Sequence, residues 1–149
     1  MSAALERRLR ALEDRIEIAD LIARYGPAVD SGDGEAVAEL WAEDGTYQFD
    51  ETVLDADGIR GLTGLASHVE YMRRGCAHVL SAPRIEISDD EAVAITHSLV
   101  MLHDGERWIG ERVSANRWEL VRATEGWRVR RRINRLLDGA AAARELLSS

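Results

Sequence analysis

The chain has 149 residues, 27 acidic and 19 basic, for a formal net charge of −8. Every basic residue is arginine, so a lysine nucleophile or Schiff base is excluded, and the acidic balance argues against nucleic-acid binding, which needs clustered cations on phosphate. Cys76 is the one cysteine and has no internal disulfide partner, and no apolar run approaches the ~18 residues of a membrane span.

The length suits one domain, residues 1–149. The charged opening MSAALERRLR lacks the apolar core of a signal peptide, so a cytoplasmic protein is expected. Leu5, Leu9, Leu12 and Ile16, then Ile18, Leu21, Ile22 and Tyr25, recur at helical steps behind Ser2, a good N-cap. Gly26-Pro27 predicts a kink or an end there. Asp33 starts a second predicted helix, with Val37, Leu40 and Trp41 on its apolar stripe and Gly45 as its C-cap.

The period then changes. Residues 46–49 read as a short strand, 58–64 as loop and 65–72 as a short helix. Residues 77–87 read as one strand bent at Pro83, and Asp89-Asp90 as a turn. Long strands follow at 92–103, 107–121 and 127–137, joined by Asp104-Gly105 and by Thr124-Glu125-Gly126, with a last helix at 140–147. Helices followed by an antiparallel meander predict an α+β domain, helices packed on one face of a strongly curved sheet that encloses a pocket.

No phosphate loop, dinucleotide fingerprint or paired-cysteine motif is present, and none of His68, His78, His97 and His103 has the short spacing of a zinc helix. Neither a cofactor nor a metal is expected. His78, on an apolar strand, is the strongest candidate base, since a carboxylate on one ring nitrogen would leave the other free. Asp30 lies where the first long helix ends, a place where an acid needs a positive or hydrogen-bonding partner. Arg128, Arg130, Arg131 and Arg132 are expected on a solvated strand face, paired with acids of neighbouring strands; the alternative is that one of them points inward to hold a polar ligand atom. The register of the 92–103 strand stays open: either Thr96 and Ser98 or His97 and His103 face the cavity.

Three stretches carry a resemblance: Ile18-Ala19-Asp20-Leu21-Ile22-Ala23-Arg24-Tyr25, then Ala28-Val29-Asp30-Ser31-Gly32-Asp33, then Leu40-Trp41-Ala42-Glu43-Asp44-Gly45. With the closing Gly126-Trp127-Arg128-Val129 they resemble the SnoaL-like group of the nuclear transport factor 2-like superfamily, over nearly the whole chain. The resemblance implies a cone-like α+β barrel. Members such as scytalone dehydratase, bile-acid 7α-dehydratase and hexachlorocyclohexane dehydrochlorinase use an Asp–His pair in a deep pocket. It implies that Asp30 orients His78 and that His78 takes a proton from a small hydrophobic ring compound. Tyr25 or Arg132 would bind the leaving oxygen or an oxyanion. Tyr47, Trp41, Cys76 and Ser98 are expected around the substrate.

The leading expectation is a dehydratase-like lyase. Ketosteroid-isomerase-like or polyketide-cyclase-like chemistry is the alternative, as is a non-catalytic ligand-binding or oxygenase small-subunit-like assembly domain. Epoxide hydrolysis would need paired carboxylates around a water. A homodimer or homotrimer is expected through the open sheet face, with Trp108, Trp118 and Val113 as candidates.

Overall fold

The computed structural model describes residues 2–149. Helix α1 spans Ala3–Asp30, and Ser2 caps it by accepting from the Leu5 N–H. The helix continues through Pro27 to Asp30 and does not end at Gly26. Tyr25, Gly26, Ala28 and Val29 are all buried there, and this packing outweighs the one N–H that proline lacks. Gly26 is needed because a Cβ would run into the His78 carbonyl oxygen.

Helix α2 (Gly34–Ala38) starts as predicted, its cap Asp33 accepting from the Ala36 N–H, but it ends seven residues before Gly45. Trp41 instead opens strand β1 (Trp41–Phe49). Gly45 is not a helix cap: it lies where the pairing register slips between Trp41 and Thr46, and a Cβ would sit 2.8 Å from both the Trp41 ring and the Val129 carbonyl. The short strand β2 (Thr52–Leu54) and helix α3 (Ala56–Arg60), followed by a 3-10 turn at Leu62–Gly64, replace the predicted loop. Helix α4 is Ala66–Arg74.

The single strand predicted at 77–87 is two, β3 (Cys76–Leu80) and β4 (Arg84–Ser88), both antiparallel to β5 (Glu91–His103). Pro83 has no N–H to give a ladder, which accounts for the gap. Strands β6 (Trp108–Ala123) and β7 (Gly126–Leu136) and helix α5 (Ala141–Leu147) lie close to their predicted bounds. The sheet order is β2-β1-β7-β6-β5-β3, with β4 also on β5. Among the described residues only β1 and β7 pair in parallel. The result is an α+β fold, helices packed on a mixed, mostly antiparallel curved sheet that does not close into a barrel.

From Ile18 onward α1 buries one face against the sheet, where Leu21, Ile22 and Val29 meet Trp118 and Trp127. The buried Asp14 fastens the helix to β6 and β7: its carboxylate accepts from Arg122 at 2.6 and 2.8 Å and from the Trp127 indole N–H at 2.9 Å. The Arg122 hydrogen bonds hold this carboxyl below its usual range against the opposing effect of burial. Trp118, expected on an outer interface, is fully buried and donates its indole N–H to Thr96. Trp108 and Val113 do face outward, and so do Leu5, Leu9, Leu12 and Ile16 of α1. No helix among the described residues is long and apolar enough to cross a membrane.

Candidate active site

Asp30 sits at the C-terminal end of α1, where the helix dipole disfavours an acid. Three donors offset this. The His78 ring Nδ1 lies 2.6 Å from Oδ1, the His78 backbone N–H donates to Oδ2 at 2.8 Å, and the Cys76 thiol donates to Oδ1 at 3.6 Å. Burial pushes the Asp30 carboxyl up, but the His78 ring and backbone hydrogen bonds prevail and hold it below the usual carboxylate range. A carboxylate only accepts, so Nδ1 carries a proton, and in the neutral ring Nε2 is the nitrogen left with a lone pair.

Gly26 is what permits this arrangement, because α1 and β3 touch backbone to backbone beside it. Burial and the Asp30 charge push the Cys76 thiol up to about 11, so Cys76 serves as a protonated donor. The ligand atoms of Asp30, Cys76 and His78 lie within 4.8 Å of one another, close enough for a cation. A cation there would displace the proton that Nδ1 shares with Oδ1.

His78 opens onto a cavity of about 200 Å³, lined also by Tyr25, Tyr47, Phe49, Ser98 and Arg132. By comparison, a dry cavity of ~150 Å³ takes up benzene, so the space suits a compact ring compound. Arg132 reaches it through a slip in register. Trp127 and Val129 point inward, and strict alternation would send Arg131 in next. The β6–β7 pairing slips between Glu119 and Leu120, Arg130 becomes the extra residue, and Arg132 turns inward. Arg128, Arg130 and Arg131 remain outside, paired with Glu125, Glu91 and Glu119.

The Arg132 guanidinium is 1 % exposed and packed between the rings of Tyr25, Tyr47 and Trp118, at 4.2, 4.6 and 4.1 Å. Its Nε donates to Asn116 Oδ1 at 2.8 Å, while the buried Nη1 has no partner among the described residues. Burial and the neighbouring Tyr47 push the Tyr25 phenol far above its usual value, with Arg132 opposing, so Tyr25 stays a donor.

Strand β5 takes the first of its two open registers. Thr96 and Ser98 face inward and His97 outward, while His103 packs on Trp108. Ser98 lines the cavity and accepts from Asn116 Nδ2 at 2.8 Å, so Asn116 bridges it to Arg132. Tyr47 lines the cavity and accepts from Asn134 Nδ2 at 3.3 Å. Two expected pocket residues do not line it. Trp41 stands behind, packed edge-on against Tyr25 and Tyr47, and Cys76 reaches Asp30 instead.

The sequence reading passed over three features. His68 is buried on the cavity wall, its ring 5.6 Å from that of His78, and its Nε2 donates to the Val29 carbonyl at 2.8 Å. This ties α4 to the end of α1 that carries Asp30. Arg112 and Asn134 also line the cavity, Arg112 held by Asp50 and Asn134 Oδ1, while Asn116 lies behind the wall and bonds Ser98 and Arg132. A second inward histidine ten residues before His78 was the one signal available for any of them.

Residues 10–133 match the family model described as the SnoaL-like domain. No curated protein matches this chain. Among solved structures it is similar to an NTF2-like protein with a cystatin-like fold from Novosphingobium aromaticivorans, with 48 % identity over 96 % of this chain and 94 % of that one, TM-score 0.94. A protein of unknown function from Mycobacterium tuberculosis shares 22 % identity over 99 % and 90 %, TM-score 0.75. Hexachlorocyclohexane dehydrochlorinase from Novosphingobium barchaimii shares 20 % over 87 % and 90 %, TM-score 0.74.

Proposed function

This chain belongs to the SnoaL-like domain family, and we propose that it is a cofactor-independent lyase, dehydratase-like in its chemistry, that acts on a small hydrophobic ring compound. The observation that carries this reading is the 2.6 Å contact between Asp30 and His78 Nδ1 at the wall of a cavity that a buried, incompletely bonded arginine also lines. A base with its tautomer held shares the cavity with a cation that has a donor to spare, which is the pairing that proton abstraction beside a carbonyl needs.

In this reading His78 Nε2 takes a proton from the carbon next to the substrate's carbonyl. The C–H electron pair moves toward the carbonyl oxygen, and Arg132 Nη1 and the Tyr25 hydroxyl donate to the oxyanion. The electrons return to form the C=C bond as the C–O bond on the adjacent carbon breaks. The imidazolium hands its proton to the departing hydroxyl, and water leaves. Where the leaving group is a halide, it departs with its electron pair and the proton passes to solvent. Asp30 stabilises the imidazolium while it exists.

The test is elimination from single-ring β-hydroxy and β-halo ketones, followed by loss of substrate. Turnover should fall on the order of 10²–10⁴-fold in His78→Ala with the fold intact by circular dichroism. Undiminished turnover in that variant would sink the assignment. Exchange of the α-proton with deuterated solvent without elimination would move the reading to an isomerase.

A further inference from the structure

Helix α1 carries a second apolar stripe that the domain does not cover. Ile18, Leu21, Ile22, Tyr25 and Val29 face the sheet and are buried. Leu5, Leu9, Leu12 and Ile16 lie roughly 160° around the helix from that face, as a 3.6-residue turn places them, and are 44–69 % exposed. Between Ser2 and Glu17, Asp14 is the one buried residue. Beyond the hydrogen bonds of Asp14, Arg15 and Glu17 to the sheet, this half of the helix stands free. A free helix of three or four turns is marginal in water.

The spacing of the stripe says what would cover it. Steps of four, three and four residues from Leu5 to Ile16 make the seam of a short two-stranded coiled coil, which ends where Ala19 turns to the domain's own core. The charges beside the seam are sorted: Arg8 and Arg15 on one flank, Glu6 and Glu13 on the other. When two copies run parallel about a two-fold axis, the basic flank of each meets the acidic flank of the other, with Arg8 beside Glu13 of the second copy. When they run antiparallel, like charges meet. Arg15 donates to the Ile85 carbonyl of its own chain, so Arg8 and Glu13 carry the pairing. The sheet lies on the far side of α1, so both domains project outward.

We propose that this chain self-associates through the free half of α1, two copies pairing in parallel along Leu5, Leu9, Leu12 and Ile16. The test is sedimentation equilibrium of the whole chain at micromolar to submillimolar concentration. The wild type should be dimeric, and Leu9→Glu with Leu12→Glu monomeric, with the near-ultraviolet signal of the domain unchanged because both positions lie outside the core. Arg8→Glu alone and Glu13→Arg alone should each associate about five- to ten-fold more weakly, through like charges across the seam. An equimolar mixture of the two should regain wild-type strength.

A monomeric wild type overturns the proposal. So does a dimer indifferent to the leucine variants, which would place the contact elsewhere, such as the sheet face bearing Trp108 and Val113. A mixture no tighter than its components overturns the parallel arrangement.

Discussion

Arg132 brings a full positive charge into a nearly dry site with no carboxylate paired to it among the described residues. Three aromatic faces and Asn116 replace part of its hydration, and Nη1 is left over. In Arg132→Met, kcat on a true substrate is expected to fall roughly 10²–10³-fold, because the cavity loses its buried guanidinium donor. Stability should change by no more than about 1 kcal/mol in thermal melts, since the cost of burying the charge disappears together with its contacts. Asp30→Asn keeps the volume but loses the acceptor that fixes the tautomer, and turnover should drop on the order of 10²–10⁴-fold. Asp30 and His78 were legible from their positions and from the family pattern. Arg132 was legible from that pattern alone, because alternation along β7 favours Arg131 until the slip at Arg130 is known. Asn116, Asn134 and Arg112 left no local trace. Each acts on a partner far along the chain, and spacing in sequence carries no information about that.

The helices and strands were read well wherever a period was long, as in α1, β5, β6 and β7, and poorly where tertiary packing decides. Trp41 fits a helical stripe as well as a strand. The strand prevails because β1 pairs with β7 as far back as Val129. Pro27 ought to end α1, yet burial on both sides of it carries the helix on to Asp30, and the site depends on that last turn. Gly26→Ala would press a methyl group into the His78 carbonyl. We expect a loss of about 2 kcal/mol or more in denaturant melts, with activity falling further than stability because Asp30 and His78 are forced apart. Asp14→Asn tests the other fastening of α1. The Asp14 carboxyl is held below the ordinary aspartate range by Arg122, so its contribution is complete above that range and lost as pH falls through the lower folded one. The stability difference between wild type and Asp14→Asn should be about 2–4 kcal/mol at neutral pH and shrink below about pH 4.

At the scale of the whole molecule, the open sheet and the long helix divide their work. The sheet's inner side and the last turn of α1 build the cavity, while the first half of the same helix faces away and is free to bind. One helix therefore links the free arm to the carboxylate end, and its fastening at Asp14 lies between them. The family pattern foretold the fold and the pocket end of this helix, whereas the exposed stripe had to be seen against the sheet to be told from core. The unfinished hydrogen bond at Arg132 has a practical consequence. A ligand that supplies an oxygen to Nη1 completes a contact the unfolded chain cannot offer, so folding itself becomes a reporter of recognition. At about a hundred-fold excess over its dissociation constant such a ligand adds about 2.7 kcal/mol to stability. Ring compounds ranked by how far they raise the melting temperature, and ranked again in Arg132→Met, would sort true occupants of the cavity from general stabilisers before any reaction is known.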